Sequence, residues 1–402
     1  MPLGLLALAL GGFGIGLTEF VILGLLPDVA ADFAVSIPVA AYLVSGYALS
    51  VAAGGVLVTA STASLKPKNV LCALMGLFIL GNLVSAVAGD YSSMMAGRIV
   101  AALCHGAFFG IGAVLAADIV TPDRKARAIA IMFAGLTIAN VLGVPMGTFL
   151  GQEFGWRSTF WAITVIGVIA LVGLVLFVPQ HAAADRGPGQ LRRELAAFTS
   201  GQVWLSILIT VFGFGAMLGA FTYIAPMLTE IAGLPAESIP WMLVIFGSGL
   251  FTGNIIGGKA ADRNLDRSLL VLLTVLTGVL LVFTTTINNS WGAGITLFLL
   301  GAVGFAAVPG MQMRVLSYAK AAPTLASGVN ISAFNLGNAI GAYLGGMAIT
   351  AGLGLAAPIW CGSALAAIAL VLILIASTLS KNTIGEPAVP ATPASQKERV
   401  IP

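Results

Sequence analysis

The chain has 402 residues, of which 59% are hydrophobic and 8% are charged; its net charge is +3 and its mean hydropathy is +1.05. A soluble globular domain carries roughly 25% charged residues, so this composition excludes a soluble protein and indicates an integral membrane protein. The 50 glycines suit helices that pack closely in lipid. A transmembrane β-barrel would instead show short alternating segments. The few, scattered basic residues do not form a nucleic-acid-binding patch.

Twelve apolar runs follow one another along the chain, each about 20 residues or longer and therefore long enough to cross the bilayer as an α-helix. We predict an all-α integral membrane protein whose spans cover residues 3–26, 39–61, 69–89, 92–119, 128–151, 157–178, 203–228, 238–260, 268–287, 292–316, 325–350 and 354–379. The first run has no basic segment before it and no A-x-A-like site after it, so we expect a retained helix and not a secretory signal.

The three cysteines are Cys72, Cys104 and Cys361, and all of them lie inside predicted spans without CxxC spacing. We expect them to be packing residues and not to form a disulfide.

The basic residues set the predicted topology. If the N-terminus lies inside, the cytoplasmic loops and tail collect Lys66, Lys68, Arg124, Lys125, Arg127, Arg186, Arg192, Arg193, Lys259, Arg263, Arg267, Arg314, Lys320, Lys381, Lys397 and Arg399. The opposite side keeps only Arg157. This asymmetry favours both termini in the cytoplasm, and we expect a multi-pass protein of the bacterial cytoplasmic (inner) membrane.

Two six-helix halves are predicted on either side of a polar segment. We predict an N-terminal bundle over 1–178, a cytoplasmic linker over 179–202, a C-terminal bundle over 203–380 and a disordered cytoplasmic tail over 381–402. The tripeptide SIP stands directly before the second span, at 36–38, and at the start of the eighth span, at 238–240. A glycine pattern in the fifth span, at 142–151, returns in the eleventh span at 336–345. Such pseudo-symmetric repeats place a substrate site near the midplane between the halves, reached alternately from either side.

Four short motifs carry a family resemblance. They are GLTEF at 16–20, the segment 97–110 that begins Gly-Arg and contains HGAFFG, the segment 139–145 (ANVLGVP) and AFNLGN at 333–338. Together they resemble the major facilitator superfamily, and within it the drug:proton antiporter branch that includes bacterial arabinose and sugar efflux and chloramphenicol resistance permeases. The resemblance implies a monomeric secondary transporter without cofactor. It would export a small polar or amphiphilic solute, sugar or drug-like, in exchange for protons by alternating access.

The chain departs from the superfamily in one loop. The G-x-x-x-D-R-x-x-x-R pattern expected after the second span occurs only in the second half, as Gly258, Asp262, Arg263 and Arg267. The first-half counterpart, 59–68, contains no acid. The resemblance implies a gating role for Asp262, Arg263 and Arg267. The alternative is that these charges only set topology.

Three ionisable residues, Glu19, Arg98 and His105, lie deep inside predicted spans, away from the span ends. Glu19 and Arg98 lie at matching depth, roughly 10 Å below one membrane surface, and His105 follows Arg98 by seven residues on the same helix face, about 10 Å further in. A buried charge is costly in lipid, so Glu19, Arg98 and His105 are candidates for proton coupling. The alternative is a static Glu19–Arg98 ion pair with His105 bonded to a backbone carbonyl.

Neutral polar residues are candidates for solute contact. Asn140 and Pro145 belong to the segment that resembles the antiporter signature, where proline removes a backbone donor and lets the helix bend. We expect Pro145 to act in gating. In the second half the polar groups in the spans are Tyr223, Asn254, Gln312, Asn330, Asn335 and Asn338. We predict substrate binding by Asn140, Tyr223, Asn254, Asn335 and Asn338, although hydrogen bonding between helices is an equal alternative for each asparagine.

Catalytic and ATP-binding motifs are missing from the sequence, which has no GxxxxGK[ST] or HExxH pattern and only two histidines. We therefore expect no enzyme activity, no cofactor and no metal; the partners are the solute, protons and the lipid bilayer. An importer or uniporter on the same fold, and a membrane sensor that moves nothing, remain as alternatives.

Overall fold

Each of the twelve predicted runs forms a helix. The computed structural model describes residues 3–62, 65–121, 125–180, 196–320 and 322–384. The spans are α1 (Leu3–Gly24), α2 (Ile37–Ser61), α3 (Pro67–Ala86), α4 (Tyr91–Leu103 and His105–Asp118), α5 (Lys125–Ile138 and Val144–Phe154), α6 (Trp156–Phe177), α7 (Gly201–Phe221), α8 (Ile239–Arg263), α9 (Leu265–Thr286), α10 (Ser290–Tyr318), α11 (Pro323–Thr350) and α12 (Ala357–Ile384). Short helices, Leu26–Asp32 and Ile224–Glu230, extend α1 and α7.

Eleven of these spans are both long enough and apolar enough to cross a membrane. The twelfth is α11, whose 28 residues suffice in length. Its asparagines and glycines lower its hydropathy, and a helix that packs on protein along much of its surface tolerates them. α12 continues to Ile384, beyond the predicted bundle end at 380. Most of the predicted linker, 181–195, and of the predicted tail, 385–402, lies outside the described residues.

The helices start at local signals in the sequence. Proline occupies the first turn of α2, α3, α8 and α11, where a missing N–H costs nothing because no carbonyl precedes it in the helix. α4 begins at a capping box: the Asp90 carboxylate accepts from Ser93 N at 2.9 Å, and the Ser93 hydroxyl oxygen accepts from Asp90 N at 3.3 Å. These signals fix the loop ends of the spans.

Two spans are interrupted in mid-membrane. α4 breaks at Cys104, between Leu103 and His105. α5 contains a π-helical turn, Ala139–Gly143, directly before Pro145. Proline cannot donate to the carbonyl four residues back, and a wider turn accommodates the lost bond. Both breaks lie in segments that carry candidate site residues.

The spans alternate in direction, so one end of the bundle, the terminal face, carries the start of α1 and the end of α12, and the opposite end is the distal face. α1–α6 pack on one another, as do α7–α12, and the halves meet mainly where α2 packs on α11 and α5 on α8. Ser45 Oγ donates to Ala339 O at 3.3 Å, Ser332 Oγ to Ala52 O at 2.9 Å, and Gln152 Nε2 to Ala236 O at 3.0 Å. These contacts run from the distal face to just past the middle of the bundle.

One glycine fixes how closely the halves approach. A Cβ added at Gly247 in α8 would lie 2.9 Å from Val141 Cα and 3.0 Å from Asn140 O, both on the π-helical turn of α5. Only glycine therefore permits this backbone contact between the two halves.

Candidate functional site

The predicted ionisable residues converge inside the first half. Glu19 on α1 is 7% exposed, and Arg98 and His105 on α4 are 1% and 5% exposed. The two α4 residues stand on either side of the Cys104 break and both reach towards α1. The depth match predicted that Glu19 and Arg98 lie close together, and the structure brings His105 to Glu19 as well.

Arg98 bonds to the backbone of α1 and not to the Glu19 carboxylate. Its guanidinium donates to the carbonyl oxygen of Thr18 and, at 3.4 Å, to that of Glu19. It also lies over the Tyr47 ring, 4.1 Å from the centroid, where a cation is attracted by the π face. Its Nε atom is buried without a hydrogen-bond partner. The alternative of a static Glu19–Arg98 ion pair is therefore not formed in this structure.

The carboxylate of Glu19 instead faces the imidazole of His105. Oε2 of Glu19 lies 3.9 Å from His105 Nδ1. His105 was expected about 10 Å further in than Glu19. Its imidazole nevertheless reaches the Glu19 carboxylate. The expected alternative, a carbonyl partner for His105, is not formed either: the imidazole contacts the Tyr47 hydroxyl, with 3.4 Å between Oη and Nδ1.

Sequence reasoning missed three buried residues of this cluster. Tyr47 on α2 is 1% exposed and joins Arg98 to His105. Thr18 and Asn82 are both fully buried: the Thr18 hydroxyl donates to Asn82 Oδ1 at 2.6 Å, and Asn82 Nδ2 donates to Phe78 O at 2.8 Å. Their signal was an isolated polar residue in an apolar run, the same signal that singled out Glu19.

A small cavity lies between the halves, beside this cluster. Helices α1, α5, α7, α8 and α10 form its walls, which consist of Phe20, Asn140, Val144, Met217, Leu218, Phe221, Leu243, Phe246, Leu250 and Phe305. It offers about 10 Å³ to the centre of a water molecule, roughly what one water needs. Asn140 is the only polar residue in this wall, so the cavity is apolar and aromatic.

Of the five predicted solute-binding residues, Asn140 lies in the cavity wall. It sits on the π-helical turn and donates to Leu136 O at 3.1 Å. Tyr223 is fully buried, and its hydroxyl donates to Ala342 O at 2.7 Å, which joins α7 to α11. Asn254 is exposed on α8. Asn335 and Asn338 are buried on α11, and Asn335 Oδ1 has no hydrogen-bond partner.

The predicted gating residues divide into two groups. Pro145 is buried next to the π-helical turn of α5. Asp262, Arg263 and Arg267 are exposed at the terminal face, and their side chains have no ion-pair partner among the described residues. The expected latch through Asp262 and Arg263 is therefore not formed in this structure.

A different ion pair occupies that end of the second half. Arg314 on α10 is fully buried; its Nε donates to Asp266 Oδ1 on α9 at 2.9 Å. The same guanidinium donates to Gln202 Oε1 at 3.1 Å and to Ser206 Oγ, both on α7. Arg314 was predicted only as a charge of a cytoplasmic loop, yet its guanidinium joins α10 to α7 and α9.

Comparison with known proteins agrees with this fold. The family description of the Major Facilitator Superfamily matches residues 8–342. The chain is 44% identical over 380 residues to the inner membrane transport protein YdhP of Escherichia coli, covering 94% of this chain and 97% of that protein. It is 33% identical over 373 residues to a chloramphenicol resistance protein of Streptomyces lividans, and the match covers 92% of this chain and 95% of that protein.

Among solved structures, a bacterial homologue of the human lysosomal transporter Spinster, in an inward-facing and unoccupied conformation, matches with a TM-score of 0.78. That match covers 96% of this chain and 98% of the other at 16% identity, so it concerns the fold alone. The helical architecture and these relatives define a multi-pass membrane transporter. The chain belongs to the Major Facilitator Superfamily, which confirms the resemblance and the twelve-helix, two-bundle fold.

Proposed function

We propose that this protein exports small amphiphilic, drug-like solutes in exchange for protons, with the terminal face in the cytoplasm. The observation that carries the proposal is the buried cluster around Glu19, which adjoins an aromatic cavity between the halves. The topology rests on the basic residues, which concentrate at the terminal face.

Glu19 supplies the group that carries the proton. Its carboxylate is buried, and no Arg or Lys side chain is bonded to it. A buried carboxylate without a fixed cation can be neutralised by taking up a proton, which is the chemistry that proton coupling needs. His105 and the Tyr47 hydroxyl lie beside it and can pass a proton on.

Glu19 and Phe20 are adjacent in the chain, and this adjacency can couple solute binding to protonation of Glu19. Phe20 forms part of the cavity wall, and Glu19 precedes it on α1. We expect a solute that binds in the cavity to displace Phe20 and to shift the turn of α1 that carries Glu19. Binding of the solute at Phe20 and binding of the proton at Glu19 then exclude each other, which is what exchange of solute for proton requires.

The cavity favours an amphiphile over a sugar. Four of its ten lining residues are phenylalanines, and Asn140 offers the only side-chain hydrogen bonds. A sugar would lose hydrogen bonds to water without replacing them, whereas an aromatic solute with one polar group gains apolar contact. The chloramphenicol resistance relative is consistent with this solute class.

Transport by reconstituted protein tests the proposal. Proteoliposomes with an imposed pH gradient should accumulate chloramphenicol against its gradient and lose it when a protonophore is added, whereas a monosaccharide should not accumulate. Chloramphenicol flux that ignores the pH gradient would establish a uniporter. Accumulation of the monosaccharide alone would overturn the proposal of an amphiphilic solute. If neither chloramphenicol nor the monosaccharide moves, a membrane sensor becomes the better interpretation.

A further inference from the structure

A second cavity opens at the terminal face, away from the cavity between the halves. It lies along the first half of α3 and under the end of α2, and it encloses about 600 Å³, within the range of pockets that hold small ligands. Leu65, Val70, Ala73 and Leu77 form its apolar wall. Lys66 and Asn69 stand at its mouth. We call this cavity the α3 groove.

The α3 groove is basic at one end. Neither its described lining nor the sequence from 33 to 89 contains an Asp or Glu, so Lys66 and Lys68 are the only charged residues of that stretch. Lys66 is exposed, and its ammonium group has no hydrogen-bond or ion-pair partner among the described residues. Lys68 donates to Val175 O at 2.8 Å, which ties α3 to the end of α6. The groove therefore offers, beside apolar surface, a positive charge that none of the described residues neutralises.

The apolar wall runs into the membrane. Leu77 follows Lys66 by eleven residues, which is about 16 Å along an α-helix. Ala73 and, two turns beyond it, Leu80 are exposed, so this face of α3 is open to lipid. A soluble anion would fill only the mouth of the groove, whereas a phospholipid fills both the charged mouth and the apolar wall.

We propose that the α3 groove binds an anionic phospholipid from the membrane leaflet at the terminal face, with its phosphate near Lys66 and an acyl chain along Val70, Ala73 and Leu77. The charge on the protein selects the headgroup: one lysine near the membrane surface favours an anionic lipid by about fivefold. This site is independent of the solute cavity and of proton coupling.

Lipid retention by the purified full-length protein tests this site. Native mass spectrometry would count phosphatidylglycerol molecules retained from mixed micelles, with phosphatidylcholine at the same concentration as the neutral comparison. Lys66→Gln should retain about fivefold less phosphatidylglycerol with unchanged phosphatidylcholine. The matched control is Lys259→Gln, because Lys259 is an exposed lysine at the terminal face of α8 and does not line the groove; this variant should behave like the wild type.

A second variant tests the apolar wall with the charge intact. Ala73→Trp fills the α3 groove at an exposed position, so folding is preserved, and it should reduce phosphatidylglycerol retention at least as much as Lys66→Gln. Equal retention by Lys66→Gln and the wild type would overturn the proposal. It would also be overturned by an equal loss in Lys259→Gln, or by an Ala73→Trp variant that retains lipid normally.

Discussion

The Glu19 carboxylate lies beside His105, with 3.9 Å between Oε2 and Nδ1, while Arg98 in the same cluster bonds to the Glu19 backbone carbonyl. Acid and guanidinium thus share one turn of α1 without neutralising each other. The guanidinium is held by two carbonyl oxygens and the Tyr47 ring, and these contacts do not require the Glu19 side chain.

Replacement of Glu19 therefore separates coupling from folding. Glu19→Gln should be produced at a yield close to that of the wild type, because Arg98 keeps all its described partners. It should bind and exchange solute but fail to accumulate it under a pH gradient, as measured in proteoliposomes. Glu153→Gln, which changes an exposed acid at the end of α5, is the control and should transport normally. Uphill transport by Glu19→Gln with unchanged pH dependence would show that another group carries the proton.

Tyr47 has two roles that two substitutions can distinguish. Tyr47→Phe keeps a ring under Arg98 and removes only the hydroxyl next to His105, so thermal stability in detergent should stay close to that of the wild type while the pH profile of transport shifts. Tyr47→Leu removes the ring as well, and the loss of a desolvated cation–π contact should cost about 2 kcal/mol. Equal melting temperatures for the two variants would contradict the contact between Arg98 and the ring.

The ion pair at the terminal face predicts which aspartate matters for stability. Asp266→Asn should lower the free energy of unfolding by about 2 kcal/mol, the usual range for a hydrogen bond to a charged group, because Arg314 is fully buried. Asp262 lies at the C-terminal end of α8 and is exposed, so Asp262→Asn should have no comparable effect on the free energy of unfolding. Thermal unfolding of both variants in one detergent makes the comparison, and a larger loss for Asp262→Asn would restore that residue as the latch.

The glycine contact between α5 and α8 predicts a change in access. Gly247→Ala places a methyl group against the backbone at Asn140 and Val141, so it should push the halves apart. A cysteine introduced at Ser45, which is 7% exposed between the halves, should then react faster with a thiol reagent in a variant whose native cysteines are replaced. Gly278→Ala on α9 is the control, because a Cβ there meets nothing within 4 Å. Equal labelling of both variants would mean that this contact does not limit separation.

Much of the fold was readable from the sequence because bilayer thickness fixes helix length. The apolar runs gave all twelve spans, and depth arithmetic brought Glu19 close to Arg98. Hydropathy contains no information on the rotation of each helix about its axis. That rotation decides that the Arg98 guanidinium meets carbonyl oxygens and the Tyr47 ring, and that the Glu19 carboxylate meets His105.

The remaining errors have related causes. Arg314 looked like a loop charge because it lies two residues before the end of the predicted span, 292–316, whereas α10 continues to Tyr318. Asn254 is exposed on α8 and does not line the cavity, so its contact with the solute stays a prediction. Buried pairs such as Thr18 with Asn82 are 64 residues apart in the chain, so only tertiary packing joins them.

Adjacent residues on a helix point about 100° apart, so Phe20 faces the cavity between the halves while Glu19 faces His105 inside the first half. Three of the four phenylalanines in the cavity wall, Phe221, Phe246 and Phe305, come from the second half, whereas Glu19 and its neighbour His105 come from the first. The proposed proton carrier therefore lies in one half, whereas the cavity wall is shared, since Phe20 and Asn140 come from the first half. We expect a chimaera that exchanges the second halves of two relatives to change its cargo in part and to keep the driving ion of the parent that supplied the first half.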